Sequence, residues 1–87
     1  MEPLGLRMIV ESASWNESIA AMPLLRRELD ELLAGVMFAV ARTPEAFQFD
    51  PDSSLCLARF SGSPAMNIWF TYSADYVTLL YVEEQPS

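Results

Sequence analysis

The spacing of hydrophobic residues predicts four short strands. Apolar runs of strand length lie at 6–11, 55–60, 67–73 and 76–83. Only Ala74 and Asp75 separate the last two runs, so we expect these runs to form a hairpin. Because strand side chains alternate between two faces, the first strand divides into two sets, Leu6, Met8 and Val10 on one face and Arg7, Ile9 and Glu11 on the other.

Two helices are predicted between the first and second strands. Ser14 followed by Glu17 matches a capping box, which indicates a helix over 15–22 that Pro23 interrupts. A second helix is predicted over 24–42, with Gly35 explained by a close helix approach and Pro44 as the stop. Its apolar stripe has spacings of three and four residues and consists of Leu25, Leu29, Leu32, Leu33, Val36 and Val40.

These elements predict one α+β domain over residues 1–87, in the order β-α-α-β-β-β. The helical hairpin is expected to pack on one face of a mainly antiparallel four-stranded sheet. The segment 45–54 is predicted to be a loop, which Phe47 and Phe49 attach to the core. Cys56 alternates with leucines in its strand and is expected to be a small core residue.

The composition suggests a protein partner rather than a nucleic acid. Hydrophobic residues make up 52% of the chain, which is high for a small domain, so some of them are candidates for covering by a partner or a second copy. The formal net charge is -7 and the chain has no lysine, so we do not expect direct nucleic-acid binding. An acidic surface suits solubility, or a basic protein partner. The apolar end of the long helix is one candidate docking surface, formed by Val36, Met37, Phe38 and Val40.

Trp69 marks a second candidate docking surface. Ile68, Phe70 and Tyr72 are predicted to face the core, which leaves Trp69 and Thr71 on the opposite sheet face. Trp69 would be a binding anchor there, or a base-stacking platform if RNA binds, with Arg59 and Thr78 as its neighbours. The alternative interpretation is structural, with Trp69 packed under the 45–54 loop.

The residues offer little for catalysis or for metal binding. There is no histidine and only one cysteine, which removes the commonest general base and the usual zinc sites. No cofactor motif occurs, so we predict no cofactor. Asp50 and Asp52 are interpreted as turn formers, and no metal site is predicted. The lone cysteine and the lack of a leader or membrane span favour a cytoplasmic protein.

The whole chain resembles the RelE/ParE toxin superfamily of bacterial toxin–antitoxin systems. The resemblance lies in an opening strand, a helical hairpin and three strands, together with "ARTPEA" after the long helix, "LARF" and the closing hairpin "IWFTYSADYVTLLYVEE". It implies a toxin that a partner antitoxin wraps. By position, it also implies weak catalytic candidates at Arg59 and Tyr72, with Arg7 as a third.

The chain departs from that family where RNA cleavage is concerned. Cleaving members use a basic sheet face and often a basic segment after the last strand, where this chain has "VEEQPS". The leading hypothesis is therefore a divergent or degenerate toxin-superfamily protein that acts mainly by binding another protein, either an antitoxin or a cellular target. One alternative is a ribosome-dependent mRNA endoribonuclease with a reduced site. The other is a homodimeric structural module. The lack of a recognisable set of catalytic residues favours a non-enzymatic role, but it does not decide whether the protein is an enzyme.

Overall fold

The chain forms a strand, two helices, a short 3-10 turn and then four strands, in a computed structural model that describes residues 6–86. The prediction that the chain lacks a leader segment depends partly on residues 1–5. These residues lie outside the described ones. No helix of residues 6–86 is long and apolar enough to cross a bilayer. The elements are β1 (Met8–Glu11), α1 (Ala13–Ala20), α2 (Arg26–Arg42), the 3-10 turn (Pro44–Ala46), β2 (Gln48–Asp50), β3 (Leu55–Phe60), β4 (Met66–Tyr72) and β5 (Tyr76–Glu84).

The predicted α+β class is confirmed, with one more strand than expected. The strands form a five-stranded sheet in the order β1-β5-β4-β3-β2. Only β1 and β5 are parallel; the other neighbours are antiparallel. The extra strand, β2, lies inside the predicted 45–54 loop. Three residues are too few to show an alternating pattern, and β2 becomes a strand because it pairs with β3.

Both helices begin at positions other than the predicted ones. The Oγ of Ser12, not of Ser14, accepts the cap hydrogen bond, from the Trp15 amide at 3.1 Å. Leu25 has an extended backbone, so α2 begins two residues after the predicted position. The Glu28 carboxylate accepts a hydrogen bond from the Leu25 amide at 3.1 Å and so satisfies one donor at this helix start.

The core lies between the helices and one face of the sheet. Trp15 and Ile19 of α1 and Leu29 and Leu33 of α2 are buried, as is Cys56 of β3, which confirms the prediction for that residue. The central strands supply the other main core residues, which are Ile68, Phe70, Val77, Leu79 and Val82.

Two predictions about α2 are wrong. Leu25 was assigned to the apolar stripe but is 65% exposed, because it precedes the first helical turn. Gly35 was assigned to a close helix approach, yet a Cβ added there would meet nothing within 4 Å among the described residues. The glycine therefore has no packing role that the structure shows.

The two phenylalanines of the predicted loop behave differently. Phe47 packs edge-on against Phe70, with ring centroids 5.9 Å apart, as predicted. Phe49 was also expected to reach the core, but it is 58% exposed. It lies opposite Cys56 in the terminal strand β2, where the helices do not cover it.

Serine hydroxyls of α1 bond the part of β5 that β1 does not pair. β1 ends opposite Leu79, and the next residue, Leu80, has no partner in β4 because the register shifts there. Ser14 Oγ donates a hydrogen bond to the Leu80 carbonyl at 2.6 Å. Ser18 Oγ accepts one from the Val82 amide at 3.0 Å. The hydroxyls thus take the place of strand partners at a sheet edge.

Candidate functional site

The sheet surface opposite the helices, which we call the open face, carries the candidate site. Cross-strand register arranges the side chains around Trp69 on this face in three rows. The aromatic row runs from β5 to β2 and contains Tyr81, Trp69, Leu57 and Gln48. The threonine row contains Val10, Thr78 and Thr71, and the rim row contains Glu83, Asn67 and Arg59.

A stacked pair of aromatic rings lies in the aromatic row. The rings of Trp69 and Tyr81 are 5.9 Å apart between centroids, with 24° between their planes. Both side chains are half-buried. Leu57, opposite Trp69, is buried although it lies on the open face. The pair is therefore packed against the sheet and still presents part of its surface to solvent.

Glu83 of the rim row holds Trp69, one member of this pair. Its Oε2 accepts a hydrogen bond from Trp69 Nε1 at 3.1 Å and another from Asn67 Nδ2 at 3.3 Å. Such charge-assisted bonds orient the indole. The predicted neighbourhood of Trp69 was thus right for Thr78 and Arg59, which lie opposite Thr71 and Asn67, and it lacked Tyr81 and Glu83.

The open face has a negative electrostatic character near Tyr81. Partial removal from water raises the pKa of the Tyr81 phenol above its ordinary value. The charges of Glu83 and Asp50 raise that pKa further. Arg59 is the cation of the rim row, and it lies two strands away from Glu83, about 10 Å at the usual strand spacing.

The sequence could not show that Tyr81 belongs to this face, because of the bulge in β5. Strict alternation from Thr78 would place Leu80 and Val82 on the open face. The extra residue, Leu80, reverses the alternation, so that Val82 is buried and Tyr81 lies opposite Trp69. The run "TLLYV" has no turn residue or glycine that would indicate this.

Arg7 and Tyr72 form a separate group at the β4–β5 turn. The Arg7 guanidinium lies 5.6 Å from the centroid of the Tyr72 ring, and Arg7 Nε donates a hydrogen bond to the Ser73 carbonyl at 2.8 Å. Arg7 also lies 3.8 Å from the Glu45 carboxylate. Tyr72 was predicted to be a core residue but is 42% exposed, because it stands at the end of β4 beyond the packed core.

The structure does not bring Arg59 together with Tyr72. Arg59 lies opposite Asn67, and Tyr72 is five residues further along β4, which is about 17 Å. Tyr72 shares its sheet face with the buried Phe70, whereas Arg59 lies on the open face. These two side chains cannot act on one substrate atom in this arrangement.

The apolar end of α2 is a poor docking surface. Val40 is fully buried, so the prediction that it binds a partner is wrong. Val36 and Met37 are partly buried and pack against the core. Phe38 alone of these four residues is exposed, at 48%. The apolar pattern there reflects burial within the fold.

Two further features of the fold, a turn and a groove, lie outside the open face. The Asp50 carboxylate accepts hydrogen bonds from the Asp52 amide at 3.2 Å and from the Ser53 hydroxyl at 2.8 Å, which is a turn structure. Residues 6–86 contain no group of three side chains placed to hold a metal ion. An open groove of about 380 Å³ lies between α2 and the β3–β4 loop, lined by Leu24, Glu28, Glu31, Leu32 and Ser63.

Comparison of the chain with family models, with curated proteins and with solved structures gives no significant match. The assignment of a function therefore rests on the residues and geometry described above.

Proposed function

We propose that this protein is a divergent RelE/ParE-like member of the toxin–antitoxin proteins that acts by binding another protein through its open face. The observation that carries the proposal is the Trp69–Tyr81 pair, with Trp69 held by Glu83, on a sheet surface that no described element covers. Amphipathic aromatic side chains are common anchors of protein interfaces. A cytoplasmic location belongs to the same proposal.

The order of elements supports the lineage. An opening strand is followed by a helical pair and then by four strands of a mainly antiparallel sheet, one strand more than the organisation on which the resemblance to the superfamily rests. A partner that wraps such a domain through a helix or a strand would have the open face available to it.

The positions of the arginines favour binding over RNA cleavage. A cleaving site needs cationic or proton-transferring side chains that converge on one phosphate. Arg7 and Tyr72 lie at one end of the sheet and Arg59 at the other end, on the opposite face. Among the described residues, these candidates form no converging set that would favour the endoribonuclease alternative.

Copurification from the source organism tests the proposal. The tagged chain is compared with two variants, Trp69→Asp and Glu84→Gln. Glu84 neighbours Glu83 but lies opposite the buried Met66, so its side chain is directed to the other face of the sheet. We expect a stoichiometric protein partner with the wild type and with Glu84→Gln, and its loss with Trp69→Asp.

Circular dichroism and a thermal melt first test whether Trp69→Asp is folded. If this variant does not fold, Thr71→Arg takes its place as the open-face variant. Failure to recover a partner with the wild type contradicts the proposal. Retention of the partner by both open-face variants also contradicts it.

A further inference from the structure

We infer that the open face receives a basic segment of the partner protein, with an arginine or lysine side chain placed on the Trp69–Tyr81 pair beside Glu83. This inference rests on the proposed function and specifies the chemistry of the partner. The inference names a basic polypeptide as the occupant of the open face. It excludes three alternatives, which are a neutral or acidic polypeptide, a nucleic acid and a second copy of this chain.

The aromatic pair supplies the first part of this chemistry. Guanidinium and ammonium groups are attracted to the faces of Trp and Tyr rings, most strongly where water is partly excluded. Trp69 and Tyr81 are both half-buried and stacked with 24° between their ring planes, so a cation next to this pair would meet aromatic surface that is partly removed from water. The hydrogen bond to Glu83 orients the indole of Trp69 before any partner binds.

Glu83 supplies the second part. Both of its hydrogen bonds from Trp69 and Asn67 reach the same oxygen, Oε2. Among the described residues no donor bonds to Oε1, and the nearest cation of the rim row is Arg59, two strands away. A carboxylate oxygen next to the ring pair is thus available to a guanidinium from outside.

The surrounding charge favours a cationic occupant. Glu83 and Asp50 act together on Tyr81 from opposite sides of the face, and the whole chain has a net charge of -7. This field attracts a basic segment and speeds its association, whereas it repels phosphates. It also opposes pairing of two copies through this face, because the acids of both copies would meet.

A peptide comparison tests the inference. The first probe is an amphipathic 16-residue peptide of leucine, alanine and arginine. The second and third have glutamate or citrulline in place of arginine. Binding to the full chain is measured by titration calorimetry at low and at raised salt. We expect the arginine peptide alone to bind, with affinity that falls as salt increases.

Variants locate the binding site. We expect Glu83→Gln to weaken binding of the arginine peptide about fivefold or more, since one pairing carboxylate is lost. We expect Glu84→Gln, an identical change of charge on the other sheet face, to leave the affinity within about twofold. Trp69→Phe should reduce the affinity and abolish the binding-induced change in tryptophan fluorescence, because Trp15 is buried in the core.

Three results would overturn the inference. The first is a peptide comparison in which the arginine peptide does not bind, or in which the citrulline peptide binds with the same affinity as the arginine peptide. The second is loss of binding in Glu31→Gln without loss in Glu83→Gln, which would move the site to the groove beside α2. The third is a copurified partner that requires Trp69 but contacts the face with a neutral or acidic segment. That last result would leave the proposed function intact, so the two failures are distinguishable.

Discussion

At the scale of single residues, Glu83 bonds to Trp69 and also acts on the pKa of Tyr81. The pKa of Tyr81 is raised first by burial and then by Glu83 and Asp50. We predict that Glu83→Gln lowers this pKa part of the way to its ordinary value, because burial remains. Ultraviolet difference titration measures it, with Tyr81→Phe to assign the signal.

The same shift has a consequence for stability at alkaline pH. A phenol whose pKa is raised in the folded state is favoured there in its neutral form. Its contribution to the free energy of unfolding is complete below the unfolded pKa of about 10 and is lost as pH rises through the folded value. Glu84→Gln serves as the control for the titration of Tyr81. If this variant lowered the pKa of Tyr81 as much as Glu83→Gln does, the assignment of the effect to Glu83 would be contradicted.

Phe47 and Phe49 provide a test of packing. Phe47→Ala should lower the free energy of unfolding by roughly 2 kcal/mol, less than the ~3–5 for a fully buried aromatic, because the ring is partly buried against Phe70. Phe49→Ala should change it by less than about 0.5 kcal/mol, since the ring is exposed. Urea denaturation measures both. A larger loss in Phe49→Ala would mean that β2 lies elsewhere.

At the scale of elements, the contact between α1 and β5 depends on hydroxyl groups. Ser18 Oγ accepts the amide hydrogen bond of Val82 and donates to the Trp15 carbonyl at 2.7 Å. Ser18→Ala leaves the backbone amide of the buried residue Val82 without its acceptor. We expect this to lower the free energy of unfolding by about 1–3 kcal/mol.

Hydrogen exchange provides the matching local observable. The Val82 amide should exchange faster in Ser18→Ala, while the Ser14→Ala variant, which loses a bond to the Leu80 carbonyl instead, should leave the Val82 amide protected. Unchanged exchange at Val82 in Ser18→Ala would show that the hydroxyl is not its partner.

The elements differ in how far the sequence could predict them. The long helix and the three strands that follow β2 were predictable because their periodic patterns are local. β2 has only three residues and is defined by pairing with β3, which no local pattern shows. The bulge at Leu80 is also a tertiary feature. It explains why Trp69 and Thr78 were predicted for the site and Tyr81 was not.

At the scale of the whole molecule, the charge distribution bears on self-association. The homodimer alternative was based on the high apolar content of the chain, and fifteen of the apolar residues form the buried core. Exposed apolar residues remain on β1 and β5, among them Met8 and Tyr76, opposite one another on the open face. The acids on the same face oppose close approach of a second copy.

We therefore predict a monomer at micromolar concentration and low salt. Size-exclusion chromatography with light scattering measures the mass. A stable dimer that Trp69→Asp dissociates would support the homodimeric module in place of the proposed function, because the open face would then be filled by the chain itself.

The central claim is that the open face is where this protein contacts its partner. A photo-cross-linking amino acid in place of Thr71 tests it most directly in cells of the source organism, with the same residue in place of Phe38 on α2 as the control. Both positions are accessible, but only Thr71 lies on the open face. The account predicts one discrete protein adduct from position 71 and none from position 38. An adduct from position 38 alone, or an adduct to RNA from position 71, would contradict it.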